Sequence, residues 1–246
     1  MTSANRVWFI IPAAGVGRRF SGPMPKQFMP FKKQFIFTKG LETILANSCV
    51  AGVVLATEVP TEPQELHEHW LQFQTKYQDR LLVTAGADER ITSVEAGLQA
   101  LRNHKAWQVK NEDCVLVHDG ARPCLSGTDL QSVIDNLFTA QESNKGVMLG
   151  RPVSDTLKRV SNDGCILGTQ DRQGLWQAST PQGASVGQLS AAYQVWHEQH
   201  QDLVPTDECQ LLALAGVDSI AVQSRSPNPK LTFPDDLPLI FHLLDN

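Results

Sequence analysis

Short apolar runs alternate along the first 150 residues with segments in which apolar side chains recur every three or four positions. The runs are bounded by turn residues and predict buried strands at residues 7–11, 50–56, 80–84, 113–118 and 146–149. The periodic segments predict helices on the faces marked by Leu66, Trp70, Phe73 and Tyr77, by Ile91, Val94, Leu98 and Leu101, and by Leu130, Ile134 and Leu137. Because strands alternate with helices, we expect an α/β fold with a doubly wound, mainly parallel sheet.

This alternation stops after residue 149. Residues 151–176 are polar, rich in turn residues and weakly periodic, and a segment of this length is usually functional. Helical patterns return near residues 186–199 and 207–215, before a strand at 219–223 and a closing helix around 237–244. The sequence shows no repeats and no low-complexity linker, so we expect one domain over residues 1–246 with an inserted β-arm at about 151–176.

Composition narrows the class of protein. The net charge of −5 disfavours a general nucleic-acid binder, whereas five of the 21 lysines and arginines fall between Arg18 and Lys33, which indicates a small anionic ligand. The five cysteines are scattered and never spaced as C-x-x-C, which is typical of reduced thiols rather than of disulfides or a zinc site. The first apolar run is too short for a signal peptide or a membrane span. We therefore expect a cytoplasmic protein that binds neither nucleic acid nor membrane.

The loop after the first predicted strand, "PAAGVGRRFSGPMPKQF", lies at the edge of the sheet where α/β proteins bind ligands. Gly15 and Gly17 allow backbone N–H groups to approach a phosphate. A dinucleotide fingerprint, G-x-G-x-x-G, needs a small residue where Phe20 stands. A P-loop, G-x-x-x-x-G-K-[ST], needs Lys and a hydroxyl residue after Gly22, where the chain has Pro-Met. The sequence therefore disfavours both of these phosphate-binding loops.

The same loop resembles the signature of nucleotidyltransferases, which join a nucleoside triphosphate to a phosphorylated sugar or alcohol. In those enzymes the loop wraps the triphosphate, and an Arg and a Lys, here Arg19 and Lys26, neutralise charge around the α-phosphorus. Taken alone, the loop is also compatible with a Gly-rich strand-to-helix turn that carries surface cations.

Two further polar segments are predicted at the same edge of the sheet. "VHDGARP" places Asp119 after a buried strand, where a single carboxylate suits Mg²⁺ bound together with substrate phosphates; it also suits a cap of the following turn. Arg122 can pair with a phosphate through its planar fork. "NPKLTFPDDL" sets Lys230 just beyond the last strand.

Other polar segments have plainer explanations. In "AGADERITSV", Asp88 and Glu89 suit the first turn of a helix by capping and by the helix dipole, and for Glu89 this explanation is sufficient. "TDE" at residues 206–208 has the pattern of a helix N-cap followed by acids in the first turn.

Together with the arm motifs "RPVSDTLKRV" and "DRQGLWQASTPQ", these segments closely resemble the 2-C-methyl-D-erythritol 4-phosphate cytidylyltransferases of the non-mevalonate isoprenoid pathway. The resemblance runs from about Ile10 to Leu237. Single motifs are shared with sister cytidylyltransferases, whereas the arm motifs are more specific because the arm shapes the acceptor site. The resemblance implies a Rossmann-like nucleotidyltransferase fold. It also implies a reaction in which the acceptor phosphate attacks the α-phosphorus of CTP and pyrophosphate leaves.

The resemblance implies roles for individual residues as well. The implied catalytic residues are Arg19, Lys26, Arg172 and Lys230. The implied CTP contacts are Pro12, Ala13, Ala14, Gly15, Gly17, Arg19, Lys26, Gly86, Asp88 and Ser93. The implied acceptor contacts are Asp119, Arg122, Thr156, Arg172, Thr180 and Lys230. Asp119 is also the implied ligand of Mg²⁺ or another divalent cation, and the arm is implied to swap across a homodimer.

Some positions depart from the family pattern, and two alternatives stay open. Ala87 stands where a second Gly is usual, and Pro227 stands where an acidic residue is usual. A cytidylyltransferase for another polyol phosphate, such as ribitol 5-phosphate, is one alternative. A non-catalytic nucleotide-sensing protein is the other, although such a protein need not keep the cations of an acceptor site.

Overall fold

The computed structural model describes residues 6–15, 20 and 24–245. The strands are β1 (Val7–Pro12), β2 (Pro30–Phe31), β3 (Gln34–Phe35), β4 (Val50–Ala56), β5 (Leu81–Thr84), β6 (Cys114–Val117), β7 (Gly146–Pro152), β8 (Leu157–Val160), β9 (Ile166–Gln170), β10 (Trp176–Ser185) and β11 (Ser219–Gln223). The α-helices are α1 (Phe37–Ala46), α2 (Gln64–Lys76), α3 (Arg90–Asn103), α4 (Gly127–Gln141), α5 (Val186–Gln199), α6 (Glu208–Leu214) and α7 (Leu237–Asp245). Short 3₁₀-helices span Lys26–Phe28 and Pro234–Asp236.

Seven of these strands form one sheet in the order β11-β7-β10-β6-β1-β4-β5. β6, β1, β4 and β5 pair in parallel, and so do β11 and β7. β10 is antiparallel to both of its neighbours, β6 and β7. The predicted α/β fold with a mainly parallel sheet is therefore confirmed, and β10 is the strand that inserts against the common direction.

Helices cover both faces of the sheet, as the doubly wound prediction requires. Alternate side chains of β1 face opposite sides, so that Phe9 and Ile11 enter one core with α1, α2 and α4, whereas Trp8 and Ile10 enter a second core with α3, α5 and α6. All four side chains are at most 2% exposed. Burial on both faces explains why β1 has a continuous apolar sequence rather than an alternating one.

The structure adds elements that the sequence pattern did not predict. These are α1, the antiparallel pair β2–β3, and β10, which includes residues beyond the predicted arm. Phe37, Leu41, Ile44 and Leu45 of α1 do recur at helical spacing and are buried. β10 gave no strand signal because its sequence, WQASTPQGAS, is polar or small at most positions.

The predicted arm contains an exposed antiparallel hairpin. β7 continues to Pro152 and pairs with the start of β10, and β8 and β9 form a separate two-stranded sheet between them. Val160, Ile166 and Leu167 on the hairpin are 53%, 69% and 69% exposed. In the described part of the chain, no helix is long and apolar enough to cross a membrane.

Candidate active site

A cavity of about 160 Å³ opens where the carboxyl ends of β1 and β6 meet the start of α3. We call it the central cavity. Its lining residues are Pro12, Ala13, Ala14, Gly15, Lys26, Gln27, Arg90, Ser93, Asp119, Gly120, Ala121 and Lys230. The cavity lies at the edge of the sheet where the sequence placed the ligand, and it brings together parts of the chain more than 200 residues apart.

The loop after β1 is held by hydrogen bonds to its backbone carbonyl groups. Gln27 is buried, and its Nε2 donates to the carbonyl oxygens of Ala13 at 2.5 Å and Gly15 at 3.2 Å. The hydroxyl of Thr57, at the end of β4, also donates to the Ala13 carbonyl, at 2.8 Å. Lys26 lies beside Gln27 and lines the central cavity. These bonds fix the described part of the loop, whereas the predicted site residues Gly17 and Arg19 lie outside the described residues.

Asp119 stands at the centre of a cluster of cations. Its side chain is 7% exposed, and it accepts from Arg90 Nε through Oδ1 at 2.7 Å and from Lys230 Nζ through Oδ2 at 2.8 Å. Arg122 Nε lies 3.5 Å from Oδ2. Burial alone would raise the pKa of Asp119, but the charges of Arg90, Lys230 and Arg122 outweigh it and hold the pKa well below its usual range. Asp119 is therefore ionised and organises three positive groups around itself.

Arg90 extends this cluster into the protein interior. Its two terminal nitrogens donate to the two carboxylate oxygens of Glu208, at 2.7 and 2.8 Å, and Glu208 is completely buried. Burial alone would lower the pKa of Arg90, but Glu208 and Asp119 raise it above its ordinary value. Burial raises the pKa of Glu208, while the charge of Arg90 and its hydrogen bonds act in the opposite direction. The bidentate contact is the geometry of an ionised carboxylate with a guanidinium.

Thr180 and His118 support Asp119 from behind, through buried hydrogen bonds. His118 Nε2 lies 2.9 Å from the carbonyl oxygen of Arg122, so Nε2 carries the hydrogen and Nδ1 accepts from the Thr180 hydroxyl at 3.0 Å. The Thr180 oxygen in turn accepts from the backbone N–H of Asp119, at 3.1 Å. Burial lowers the pKa of His118 to about 4, so the ring is neutral near pH 7. Because the Thr180 hydroxyl is buried and fully engaged, it positions Asp119 rather than acting as a nucleophile.

Arg122 faces a second cavity, of about 330 Å³, which we call the outer cavity. Its lining residues are Arg122, Arg151, Gln177, Ala178, Ser179, Ser224, Pro227, Asn228, Pro229 and Leu239. Arg122 donates to the carbonyl oxygen of Asn228 at 2.7 Å, which ties the end of β6 to the segment that carries Lys230. Arg122 is therefore placed between the outer cavity and Asp119.

The loop between β5 and α3 lies beside the site and is held by Ser93, a residue of α3. Ser93 lines the central cavity, and its hydroxyl accepts from the N–H of Ala87 and donates to the carbonyl of Ala87, both at 2.9 Å. Gly86 lies so close to the first loop that a Cβ atom there would be 2.2 Å from the Cβ of Ala14. Asp88 is exposed and is not among the lining residues. Glu89 is the N-cap residue of α3 but makes no side-chain capping bond.

The two predicted site residues on the arm lie away from both cavities. Thr156 and Arg172 are exposed, and neither lines the central or the outer cavity within the described residues of one chain. The structure thus brings together Lys26, Ser93, Asp119 and Lys230, with Pro12, Ala13, Ala14 and Gly15 of the first loop, and places the arm residues elsewhere.

Three site residues were missed from the sequence: Gln27, Arg90 and Glu208. Gln27 and Arg90 stand inside segments already recognised as important, PKQF and AGADERITSV, but nothing in the spacing shows what each side chain contacts. The cap of α6 is Asp207, one residue later than the TDE pattern predicts, and its side chain accepts from the N–H of Gln210. Glu208 is the acid of the first turn, but it binds Arg90, which tertiary packing alone brings within reach.

The described part of the site is built for holding anions rather than for nucleophilic catalysis by a side chain. The charged side chains that line the central cavity are one carboxylate, Asp119, and three cations, Lys26, Arg90 and Lys230. Preorganised cations in a partly closed site stabilise the charge of phosphoryl groups without having to reorganise during the reaction. The arrangement can therefore support transfer between two phosphorylated molecules.

The similarity of this chain to known proteins extends over nearly its whole length. The sequence profile of the family described as 2-C-methyl-D-erythritol 4-phosphate cytidylyltransferase matches residues 7–245. A protein of that name from Hahella chejuensis is 35% identical over 235 residues, which are 96% of this chain and 91% of that protein. One from Haemophilus influenzae is 35% identical over 244 residues and covers 99% of both.

Solved structures agree with the sequence comparison. A crystal structure of 2-C-methyl-D-erythritol 4-phosphate cytidylyltransferase from Francisella tularensis has a TM-score of 0.77 at 26% identity, and covers 97% of this chain and 99% of that chain. A crystal structure of 4-diphosphocytidyl-2C-methyl-D-erythritol synthase has a TM-score of 0.76 at 29% identity, and covers 98% of this chain and 100% of that chain.

Proposed function

The chain belongs to the 2-C-methyl-D-erythritol 4-phosphate cytidylyltransferase family, and we propose that it carries out its reaction in the central cavity. The protein is a nucleotidyltransferase that joins CTP and 2-C-methyl-D-erythritol 4-phosphate to give 4-diphosphocytidyl-2-C-methyl-D-erythritol and pyrophosphate, in isoprenoid biosynthesis. The placement rests on one observation, the meeting of the loop after β1 with the cations around Asp119 at a single edge of the sheet.

The chemistry sets what the site must do. An oxygen of the acceptor phosphate forms a bond to the α-phosphorus of CTP, and the bond from that phosphorus to the oxygen bridging the α- and β-phosphates breaks. The bonding electrons leave with pyrophosphate. Both reactants are anions, so repulsion between them and the charge that grows on pyrophosphate are the main obstacles. Positioning by fixed cations addresses both obstacles.

We assign the cations to the two substrates by their positions. Lys26 lies near the end of the loop after β1 and lines the central cavity, so we assign it to the triphosphate with the backbone at Pro12, Ala13, Ala14 and Gly15. The resemblance of the loop motif adds Arg19 and Gly17 to this assignment. Lys230 is held by Asp119 at 2.8 Å and lines the central cavity, directly after Asn228 and Pro229 of the outer cavity, so we assign it to the acceptor phosphate. Arg122 contacts the acceptor from the outer cavity. Gly86 and Asp88 on the loop before α3, with Ser93 of α3, are assigned to the cytidine.

Mg²⁺, or another divalent cation, is the cofactor that we propose. Among residues 6–15, 20 and 24–245, no three His, Cys, Asp or Glu side chains gather into a metal site. Asp119 is a single carboxylate that already accepts from two cations, but each of its oxygens keeps a lone pair. Mg²⁺ commonly takes one carboxylate together with substrate phosphates and water, so Asp119 fits as its protein ligand when a triphosphate is present. The bound ion would neutralise charge on the phosphates.

A homodimer is proposed through the arm. Arg172 and Thr156 lie on the exposed arm, away from both cavities of their own chain, and the hairpin β8–β9 exposes three large apolar side chains. If the arm packs against a second copy, these apolar side chains are covered and the two polar residues can complete the acceptor site of the partner. The long arm and its exposure support this arrangement.

We also propose that the protein works in the cytoplasm. The five cysteines are free thiols and form no disulfide, whether they are buried, as Cys114 is, or exposed, as Cys165 is. Burial raises the pKa of the Cys114 thiol to about 12, which makes it unreactive. Unpaired thiols are typical of proteins that stay in a reducing compartment.

Release of pyrophosphate tests the proposed substrates. The purified protein is assayed with each of the four common nucleoside triphosphates against 2-C-methyl-D-erythritol 4-phosphate, ribitol 5-phosphate and other polyol phosphates. We expect CTP with 2-C-methyl-D-erythritol 4-phosphate to give the highest kcat/KM, and we expect a chelator to abolish turnover until Mg²⁺ is restored. A different best pair, or full activity in the chelator, would contradict the assignment of substrates or of the metal, respectively.

A further inference from the structure

Glu208 is a completely buried carboxylate that does not line either cavity. A buried charge is costly unless it is paired and hydrogen-bonded, and Glu208 is paired with Arg90 through both of its oxygens, at 2.7 and 2.8 Å. The third donor position of the same guanidinium, Nε, is 2.7 Å from Asp119 Oδ1. One arginine therefore joins a residue of the core to the carboxylate at the centre of the proposed site.

The geometry of the guanidinium group makes this connection directional. The fork is planar and rigid, so binding both terminal nitrogens to Glu208 fixes the direction in which Nε points. Nε then fixes one oxygen of Asp119, while Lys230 Nζ binds the other oxygen at 2.8 Å. Asp119 is consequently held at both oxygens, and the position of the Lys230 ammonium depends on the orientation of that carboxylate.

The helix that carries Glu208 is well fixed at its first turn. Leu211 and Leu212 of α6 are completely buried, and Asp207 caps the helix by accepting from the N–H of Gln210. Gln182 of β10 accepts from the N–H of Cys209 at 3.1 Å, which ties the same turn to the central sheet. Glu208 is thus attached to a well-fixed part of the fold, which a residue needs if it is to position other side chains.

We propose that Glu208 is a positioning residue for the transfer reaction, which orients Asp119 through Arg90 and, through Asp119, places Lys230 at the acceptor phosphate. This inference rests on the proposed location of the reaction in the central cavity. It differs from a purely structural role because it predicts an energetic coupling between Glu208 and Asp119 in catalysis, and not only a loss of stability.

The test is a double-mutant cycle on kcat and KM with Glu208→Gln and Asp119→Asn. Gln keeps the size of Glu but removes the charge that holds the guanidinium, and loss of a residue that orients others typically lowers activity by about 10–100-fold. We expect Glu208→Gln to lower kcat by this factor with a smaller change in the KM for CTP. We expect the double variant to be no worse than Asp119→Asn alone, because both changes disrupt one chain of contacts.

Glu95→Gln is the matched control. Glu95 lies on α3, the helix that begins with Arg90, and like Glu208 it pairs with a residue of another helix, His197 of α5, at 2.8 Å, but it does not line either cavity. We expect nearly wild-type kcat for Glu95→Gln, and an effect that adds independently to that of Asp119→Asn. Urea unfolding of every variant shows whether the compared proteins are folded.

Glu208→Asp covers the case in which the Gln variant does not fold. It keeps the buried charge but is one methylene shorter, so the two bonds to Arg90 and the bond from Arg90 to Asp119 are not all maintained. We expect a folded protein with reduced kcat and the same non-additivity with Asp119→Asn. Wild-type kcat in a folded Glu208 variant, additive losses, or an equal loss in Glu95→Gln would each overturn the inference. Near-normal activity of Asp119→Asn would instead overturn the proposed location of the reaction, and with it this inference.

Discussion

Asp119 shows how one residue determines the electrostatics of the site. Its carboxylate contacts Arg90 and Lys230 directly, and Arg122 at a longer distance, so three cations that would otherwise repel one another are held close together. Two phosphorylated substrates carry enough negative charge to need such a concentration of positive groups. The hydroxyl of Thr180 and the neutral ring of His118 then hold the backbone of Asp119 in place.

Lys26 provides the most direct test at the scale of a single residue. We expect Lys26→Ala to lower kcat by roughly 10²–10³-fold, because losing one preorganised charged donor typically has an effect of this size. The measurement is steady-state release of pyrophosphate from CTP and 2-C-methyl-D-erythritol 4-phosphate, with circular dichroism to show that the fold is intact.

Lys33→Ala is the control for Lys26→Ala. Lys33 belongs to the same basic stretch of sequence but is exposed and does not line either cavity. Its replacement removes an equal charge from the neighbourhood and should leave kcat close to that of the wild type. A folded Lys26→Ala protein with near-normal kcat would refute the role proposed for Lys26.

At the scale of elements, β10 is the strand that joins the arm to the site. It is antiparallel to β6 and β7, and residues 179–181 of β10 stand opposite the single residue Leu149 of β7, which makes an irregular bulge beside the site. Bulges commonly redirect side chains next to active sites. Here the bulge contains Thr180, which contacts His118 and Asp119 at the end of β6.

The close pairing of β10 with β6 requires a glycine at position 183. A Cβ atom on Gly183 would lie 2.0 Å from the carbonyl oxygen of Val115, and backbone atoms cannot move aside without separating the two strands. We expect Gly183→Ala to lower the free energy of unfolding by at least about 1–3 kcal/mol, the usual cost of overpacking a core. Urea unfolding followed by tryptophan fluorescence gives this quantity.

Gly127→Ala is the matched substitution for Gly183→Ala. A Cβ atom at Gly127, the first residue of α4, has no atom within 4 Å, and its backbone is not in the left-handed region. We expect its stability to be unchanged or raised by up to about 1 kcal/mol, since Ala restricts the unfolded chain. Equal urea midpoints for the two variants would show that β10 does not pack against β6 as described.

At the scale of the whole molecule, one chain does not bring all the predicted site residues together. Lys26, Asp119 and Lys230 surround the central cavity, whereas Thr156 and Arg172 lie on the arm. The exposed apolar side chains of the hairpin stand on the same arm. Both observations are explained if a second copy covers the hairpin and receives the arm.

Light scattering tests this assembly. We expect the wild-type protein to have twice the 27.1 kDa mass of the chain, and a variant with Ile166→Asp and Leu167→Asp to be a folded monomer with little activity, because charges on the hairpin oppose its burial. Leu71→Asp, which alters an exposed leucine of α2 instead, is the control and should leave mass and activity unchanged. A wild-type protein that is monomeric and fully active would rule out the dimer.

The sequence by itself determined the class of fold and the chemistry at its edge. Burial of an element produces a pattern within its own sequence, such as the continuous apolar run of β1 or the helical spacing of Ile91, Val94 and Leu98. Such a pattern can be recognised without knowing which other elements pack against it. The loop after β1, with Lys26, and the position of Asp119 after a buried strand are likewise local features. They indicated a phosphate-binding site, and the resemblance of the motifs to a family then indicated the reaction.

Only the tertiary structure decided which groups touch. The direction of β10 was not predictable, because its polar and small residues gave no strand pattern. Glu208 had the sequence pattern of a first-turn acid, but folding brings it into contact with Arg90, which lies 118 residues away along the chain. Pairing between distant residues depends on how whole helices and strands pack, and the energy of a buried ion pair exists only after that packing has removed both groups from water.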